Sequence, residues 1–94
     1  MEEIICVKIT DKENLKNVGI NRAATEAWRL DIEHANSSKA LVAFVDNVVN
    51  QVFFDGKWVE TGEEGRLKYV DYKVATISDL IDLELYNILY YNIY

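Results

Sequence analysis

Residues 40–60 read Ala-Leu-Val-Ala-Phe-Val-Asp-Asn-Val-Val-Asn-Gln-Val-Phe-Phe-Asp-Gly-Lys-Trp-Val-Glu, and this stretch decides the fold class. Ala40–Val45 is an apolar run with Val and Phe, as strands prefer. Asp46-Asn47 follows, a pair that tolerates positive φ and suits a two-residue hairpin turn. Val48–Phe54 reads as the return strand. Asp55-Gly56 is a second and stronger hairpin signal, and Lys57–Glu60 starts a third strand. With two-residue turns, Val45 faces Val48 and Phe44 faces Val49. By the same counting Phe54 faces Lys57, Phe53 faces Trp58 and Val52 faces Val59. Apolar then meets apolar at most pairs, and a one-residue slip would spoil the match.

Further along the chain, Thr61-Gly62-Glu63-Glu64-Gly65 is a glycine-flanked acidic loop, and Arg66–Lys73 alternates enough for a fourth strand. Thr76 with Asp79 matches a capping box, predicting a helix over about 77–85. Residues 86–94, rich in Tyr, Ile and Asn, read as either a strand or a helix continuation.

On the N-terminal side, residues 3–9 (Glu-Ile-Ile-Cys-Val-Lys-Ile) are β-branched and apolar and predict a strand. Thr10 or Asp11 caps a short helix with Glu13 in its first turn, broken at Gly19. The stretch from Asn21 to about Asn36 is helix-like, with Ala23, Ala24, Ala27, Trp28 and Leu30 as formers or anchors, and Asp31 restarts a second short helix. The resulting expectation is an α+β fold: a small antiparallel β-meander of about five strands, curled into a barrel-like sheet, with short flanking helices.

The 94 residues make one domain. Half are hydrophobic, enough for a core and outside the composition of disordered chains. Cys6 is the one cysteine, so no internal disulfide forms, and it reads as a small core hydrophobe. The N-terminus lacks the basic-then-apolar pattern of a signal peptide, and no stretch approaches the roughly 18 apolar residues of a membrane span. The cytoplasm is the default compartment, and no membrane partner is expected. Sixteen acidic against ten basic residues give a net charge of −6, which argues against tight nonspecific binding to a phosphate backbone but leaves room for one local basic face.

Little in the chain resembles catalytic machinery. One His and one Cys exclude a zinc site built from those residues, and no serine sits in a nucleophile elbow. His34 reads as an ordinary surface or helix-end residue. No catalytic set, metal site or cofactor is expected. Gly62 and Gly65 do not open a helix after a strand, so they are turn residues rather than a phosphate loop. Trp58 reads as core. More suggestive is Trp28-Arg29, which follows Arg22 by one to two helical turns: an indole beside guanidinium groups forms a stacking and hydrogen-bonding corner for a planar group. The Tyr-rich end from Tyr86 to Tyr94 either packs on its own domain or forms a homodimer contact.

The order Arg22, Trp28-Arg29-Leu30-Asp31, a short helix, Ala40–Asp46, Val52-Phe53, Trp58 and Gly65-Arg66 followed by Tyr69 resembles the small PUA-like domains, relatives of the EVE and ASCH groups, over about residues 20–72. The resemblance implies a non-enzymatic β-barrel that binds a nucleotide or a modified nucleic-acid base, with Arg22, Trp28, Arg29 and Arg66 near the site. The acidity of the chain supports a different expectation, an acidic protein-interaction module or small inhibitor from a mobile element acting on a basic protein partner. A small hydrolase or transferase using His34 ranks last.

Overall fold

The computed structural model describes residues 3–26 and 28–87. Among the described residues, seven strands form two sheets with three helices: β1 Glu3–Ile9, α1 Lys12–Thr25, β2 Trp28–Arg29, α2 Ile32–Asn36, β3 Ser38–Val45, β4 Val48–Phe54, β5 Lys57–Glu60, β6 Arg66–Val70, β7 Lys73–Val74 and α3 Ile77–Asp82. One sheet has the order β1-β3-β4-β7 and the other β2-β6-β5. The fold is α+β as expected, but the sheets are not closed into a barrel.

β3 explains the apolar run. Ala40 to Phe44 are all buried, because both faces of this central strand are covered. Leu41 and Ala43 face a core shared with Ile5, Val7, Phe53, Trp58 and Tyr69. Ala40, Val42 and Phe44 face a second cluster with Val52, Leu80 and Leu85. Asp46 (φ 53) and Asn47 (φ 66) make the two-residue turn, and Val45 pairs with Val48 and Phe44 with Val49. Asn50 is then an extra residue, since Ala43 pairs with Gln51.

The Asp55-Gly56 turn does something other than the expected hairpin. β4 and β5 do not pair; they belong to different sheets. The expected facings of Phe54 with Lys57, Phe53 with Trp58 and Val52 with Val59 are therefore wrong. The free edge of β4 is taken instead by β7, with Phe53 opposite Val74 and Phe54 opposite Lys73. β5 turns away to pair with β6, setting Trp58 opposite Tyr69. Phe53 and Trp58 still share one core, but through side chains from two sheets.

β1 departs from a simple meander as well, since it pairs with β3 in parallel. Parallel neighbours need a long crossover, and α1, β2 and α2 supply it. Ile5, Val7 and Ile9 point into the core, which puts Cys6 on the opposite face, where it is exposed rather than a core residue. α1 starts as expected, with the Asp11 side chain accepting from the Asn14 N–H at 2.9 Å, and Gly19 interrupts it at φ 84. The expected helix across 21–36 is corrected: α1 ends at Thr25 and Trp28-Arg29 is strand, held by pairing with β6 rather than by local preference. α2 restarts after Asp31 as read from the sequence. α3 carries the full capping box of Thr76 and Asp79. It buries Leu80 and leaves Ile77 and Ile81 more than half exposed. Tyr86 is exposed; residues 88–94, the bulk of the segment expected to form a homodimer contact, lie outside the described residues. Among the described residues, no helix is long and apolar enough to cross a membrane.

Candidate functional site

The β2–β6 pair organises the expected site residues. Two directly opposed residues of an antiparallel pair point to the same face. Trp28 is opposite Leu67 and Arg29 opposite Arg66. Trp28 and Leu67 turn inward, Arg29 and Arg66 outward. The Trp28 indole N–H donates to the Ala24 carbonyl at 2.8 Å, which fixes the half-buried ring against the end of α1.

Opposed arginines repel, and the 61–65 loop answers that charge. The Glu63 carboxylate lies 3.2 Å from Arg66 Nε. Thr61 Oγ1 accepts from the Glu63 N–H at 3.0 Å and donates to the Arg66 carbonyl at 3.0 Å, which sets the loop over the strand. Gly65 (φ 76) completes the turn, and a Cβ there would stand 3.4 Å from the Arg29 guanidinium. Gly62 and Gly65 are thus turn residues, as their sequence context predicts.

Trp28 and Arg66 both line an open groove of about 330 Å³, together with Lys8, Asp11, Asn14 and Glu26. The groove lies where β1 ends and α1 begins. Its lining combines an indole, two cations, two carboxylates and an amide. Arg22 does not line it. Arg22 is an exposed helix residue whose Nε lies 3.3 Å from Glu26, so it reaches the groove only through that carboxylate. The stacking corner expected from the helical spacing of Arg22 and Trp28 does not form, because the helix stops between them. Arg29 sits on the outer face of the sheet, one residue from Trp28.

Sequence reasoning missed Lys57 and Lys68. β6 alternates Arg66-Leu67-Lys68-Tyr69-Val70, with Leu67 and Tyr69 buried. Arg66 and Lys68 therefore share the outer face with Arg29. The β5–β6 register adds Val59 opposite Lys68 and Lys57 opposite Val70. The signal that marks Lys68 is the period-two pattern of 66–70, which places Arg66 and Lys68 on one face.

The remaining titratable groups offer less. His34 is exposed in the middle of the short α2, with Nε2 2.7 Å from Glu3. Partial burial pushes the Cys6 thiol above its ordinary pKa, which disfavours the thiolate. Trp58 is buried at 3% exposure and its ring packs 5.0 Å from that of Tyr69, as a core residue. Among the described residues, no three His, Cys, Asp or Glu side chains are grouped to hold a metal ion. No family model, curated protein or solved structure matches the chain.

Proposed function

We propose that the chain is a non-enzymatic binding module that takes a nucleotide or nucleic-acid base in the Trp28–Arg66 groove. The observation that carries this reading is that Trp28 and Arg66 both line one concave site whose rim offers both donors and acceptors. An indole supplies a plane for a base, a guanidinium pairs with phosphate, and Asp11, Asn14 and Glu26 supply acceptors for exocyclic amino groups. The resemblance to PUA-like domains points to the same ligand class, here on two open sheets rather than a closed barrel. Calorimetric titration with the common mononucleotides tests it. Saturable binding is expected, weakened about tenfold in Arg66→Gln, the loss of one charge-assisted contact. Absence of heat with every nucleotide removes the reading.

A second observation favours a basic protein partner. Asp31, Glu60, Glu63 and Glu64, with the single cation Arg66, line a neighbouring groove of about 410 Å³ that also contains Leu30 and Ile32. An acidic rim around apolar side chains suits a cationic protein surface. Affinity capture from host lysate with the native chain, against a Glu63→Lys/Glu64→Lys variant, tests it: a partner lost in the variant supports this reading, and no partner in either removes it.

A further inference from the structure

The outer face of the β2-β6-β5 sheet carries several cations. Its outward residues are Arg29 opposite Arg66, Val59 opposite Lys68 and Lys57 opposite Val70. The inward residues Trp58, Leu67 and Tyr69 belong to the core, so the alternation fixes which side chains face water. Four cations thus share one sheet face on a chain whose net charge is −6. Arg29, Lys57 and Lys68 are exposed.

The anions beside this face hold it loosely. Glu63 lies 3.2 Å from Arg66, and Asp71 lies 3.9 Å from Lys57. Glu26 and Glu63 share a shallow depression with Lys68 without coming within ion-pair distance of its ammonium. Arg29 likewise has no ion pair among the described residues. The Lys57–Asp71 pair is exposed at both ends, and pairs of that kind contribute little and exchange readily for a stronger anion.

We propose that this face binds the backbone of a single-stranded nucleic acid, with phosphates held by Arg29, Lys57, Arg66 and Lys68. Residues i and i+2 of a strand, such as Arg66 and Lys68, stand about 6.6 Å apart, close to the step between phosphates of an extended single strand. The face spans two interstrand spacings, about 10 Å, and follows one backbone. It presents no helix or ribbon to enter a duplex groove. Val59 and Val70, half-buried between the cations, give apolar ground for sugars. No aromatic side chain stands among these outward residues, so this contact is sequence-tolerant. Any base preference comes from the Trp28 groove, to which Arg66 also belongs; in that respect the proposal rests on the reading of the groove.

Fluorescence anisotropy of the full chain with labelled oligo-dT and oligo-U, across a series of salt concentrations, tests it. Four phosphate contacts on a single strand predict a slope of log K against log salt of about −2.8. Lys57→Gln/Lys68→Gln is expected to halve that slope, with the thermal midpoint unchanged because both side chains are exposed. A salt-independent affinity, or the native slope in the double variant, overturns the proposal. So does polyglutamate competing as well as the oligonucleotide, which assigns the face to acidic proteins, or a duplex binding more tightly than either single strand. Mononucleotide calorimetry on the same double variant separates the two sites. Retained nucleotide binding with weakened oligonucleotide binding is the expected result, whereas oligonucleotide binding with no nucleotide binding to the native chain removes the groove alone.

Discussion

Gly56 is a glycine for a reason other than the left-handed backbone that a turn usually needs. Asp55 takes the positive φ, at 59°, while a Cβ on Gly56 would stand 2.7 Å from the Tyr69 ring and 2.8 Å from the Val70 carbonyl. Both obstacles belong to the packed β6 strand, so neither moves cheaply. Gly56→Ala is expected to destabilise the fold by about 1–3 kcal/mol, measured by urea unfolding, as overpacking of a filled site does. The same contact ties in the Tyr69 hydroxyl, which accepts from the Gly56 N–H at 2.9 Å. Burial raises the Tyr69 pKa above its ordinary value; the Gly56 hydrogen bond pulls it down and the Asp55 charge adds to the rise. The raised pKa in the folded state means that the neutral phenol favours folding. That contribution is complete below the unfolded pKa of about 10 and is lost as pH rises from there through the folded value. Urea midpoints are therefore expected to fall above about pH 10, with a shallower fall in Tyr69→Phe. The Asp-Gly pair was legible as a turn. Its real constraint was not, because the ring that fills the Cβ position comes from thirteen residues away.

Among the elements, β5 shows how a short strand at a sheet edge is protected. One side of β5 pairs with β6, and the other meets α2. Asn36, the last residue of α2, bonds the Trp58 main chain with both ends of its amide: its oxygen accepts from the Trp58 N–H at 2.9 Å, and its nitrogen donates to the Trp58 carbonyl at 3.4 Å. One side chain thus stands in for a neighbouring strand and closes the edge against other chains. Asn36→Ala is expected to cost about 1–3 kcal/mol in urea unfolding, since it leaves the Trp58 groups without partners. Elements with local signals were readable: the β3–β4 hairpin from its Asp-Asn turn, α3 from its capping box, β1 from its β-branched run. Trp28-Arg29 was not, since it is a strand only because β6 lies beside it. Nor was the parallel pairing of β1 with β3, which depends on a crossover that no local pattern encodes.

Across the whole molecule, the α+β class and the succession of strands were visible in residues 40–70, but neither the continuous meander nor the closed barrel was realised. A barrel required β4 and β5 to continue one sheet. Instead the chain passes at Asp55-Gly56 from one sheet to the other, and Phe53 and Trp58 meet across the core that this passage creates. The site was legible in part. Trp28 and Arg66 do line one groove, but Arg22 is held elsewhere by Glu26, and Lys57 and Lys68 join Arg29 only once the β5–β6 register is known. Net charge averages over faces that the fold keeps apart, so it does not report the four cations of the β2-β6-β5 face.

That separation of faces places two demands on a single ribbon. The residues of β6 that hold the core together alternate with those that carry its positive charge, so neither set can shift along the chain without the other. Loss of a single residue within 66–70 would reverse every side chain on one side of the gap, presenting a core residue to water and turning a cation inward in one event. Change by substitution at Arg66, Lys68 or Val70 meets no such penalty. The strand is rigid toward insertion and deletion yet permissive toward exchange, so variants of this domain are expected to diverge in what the face carries long before they diverge in its length.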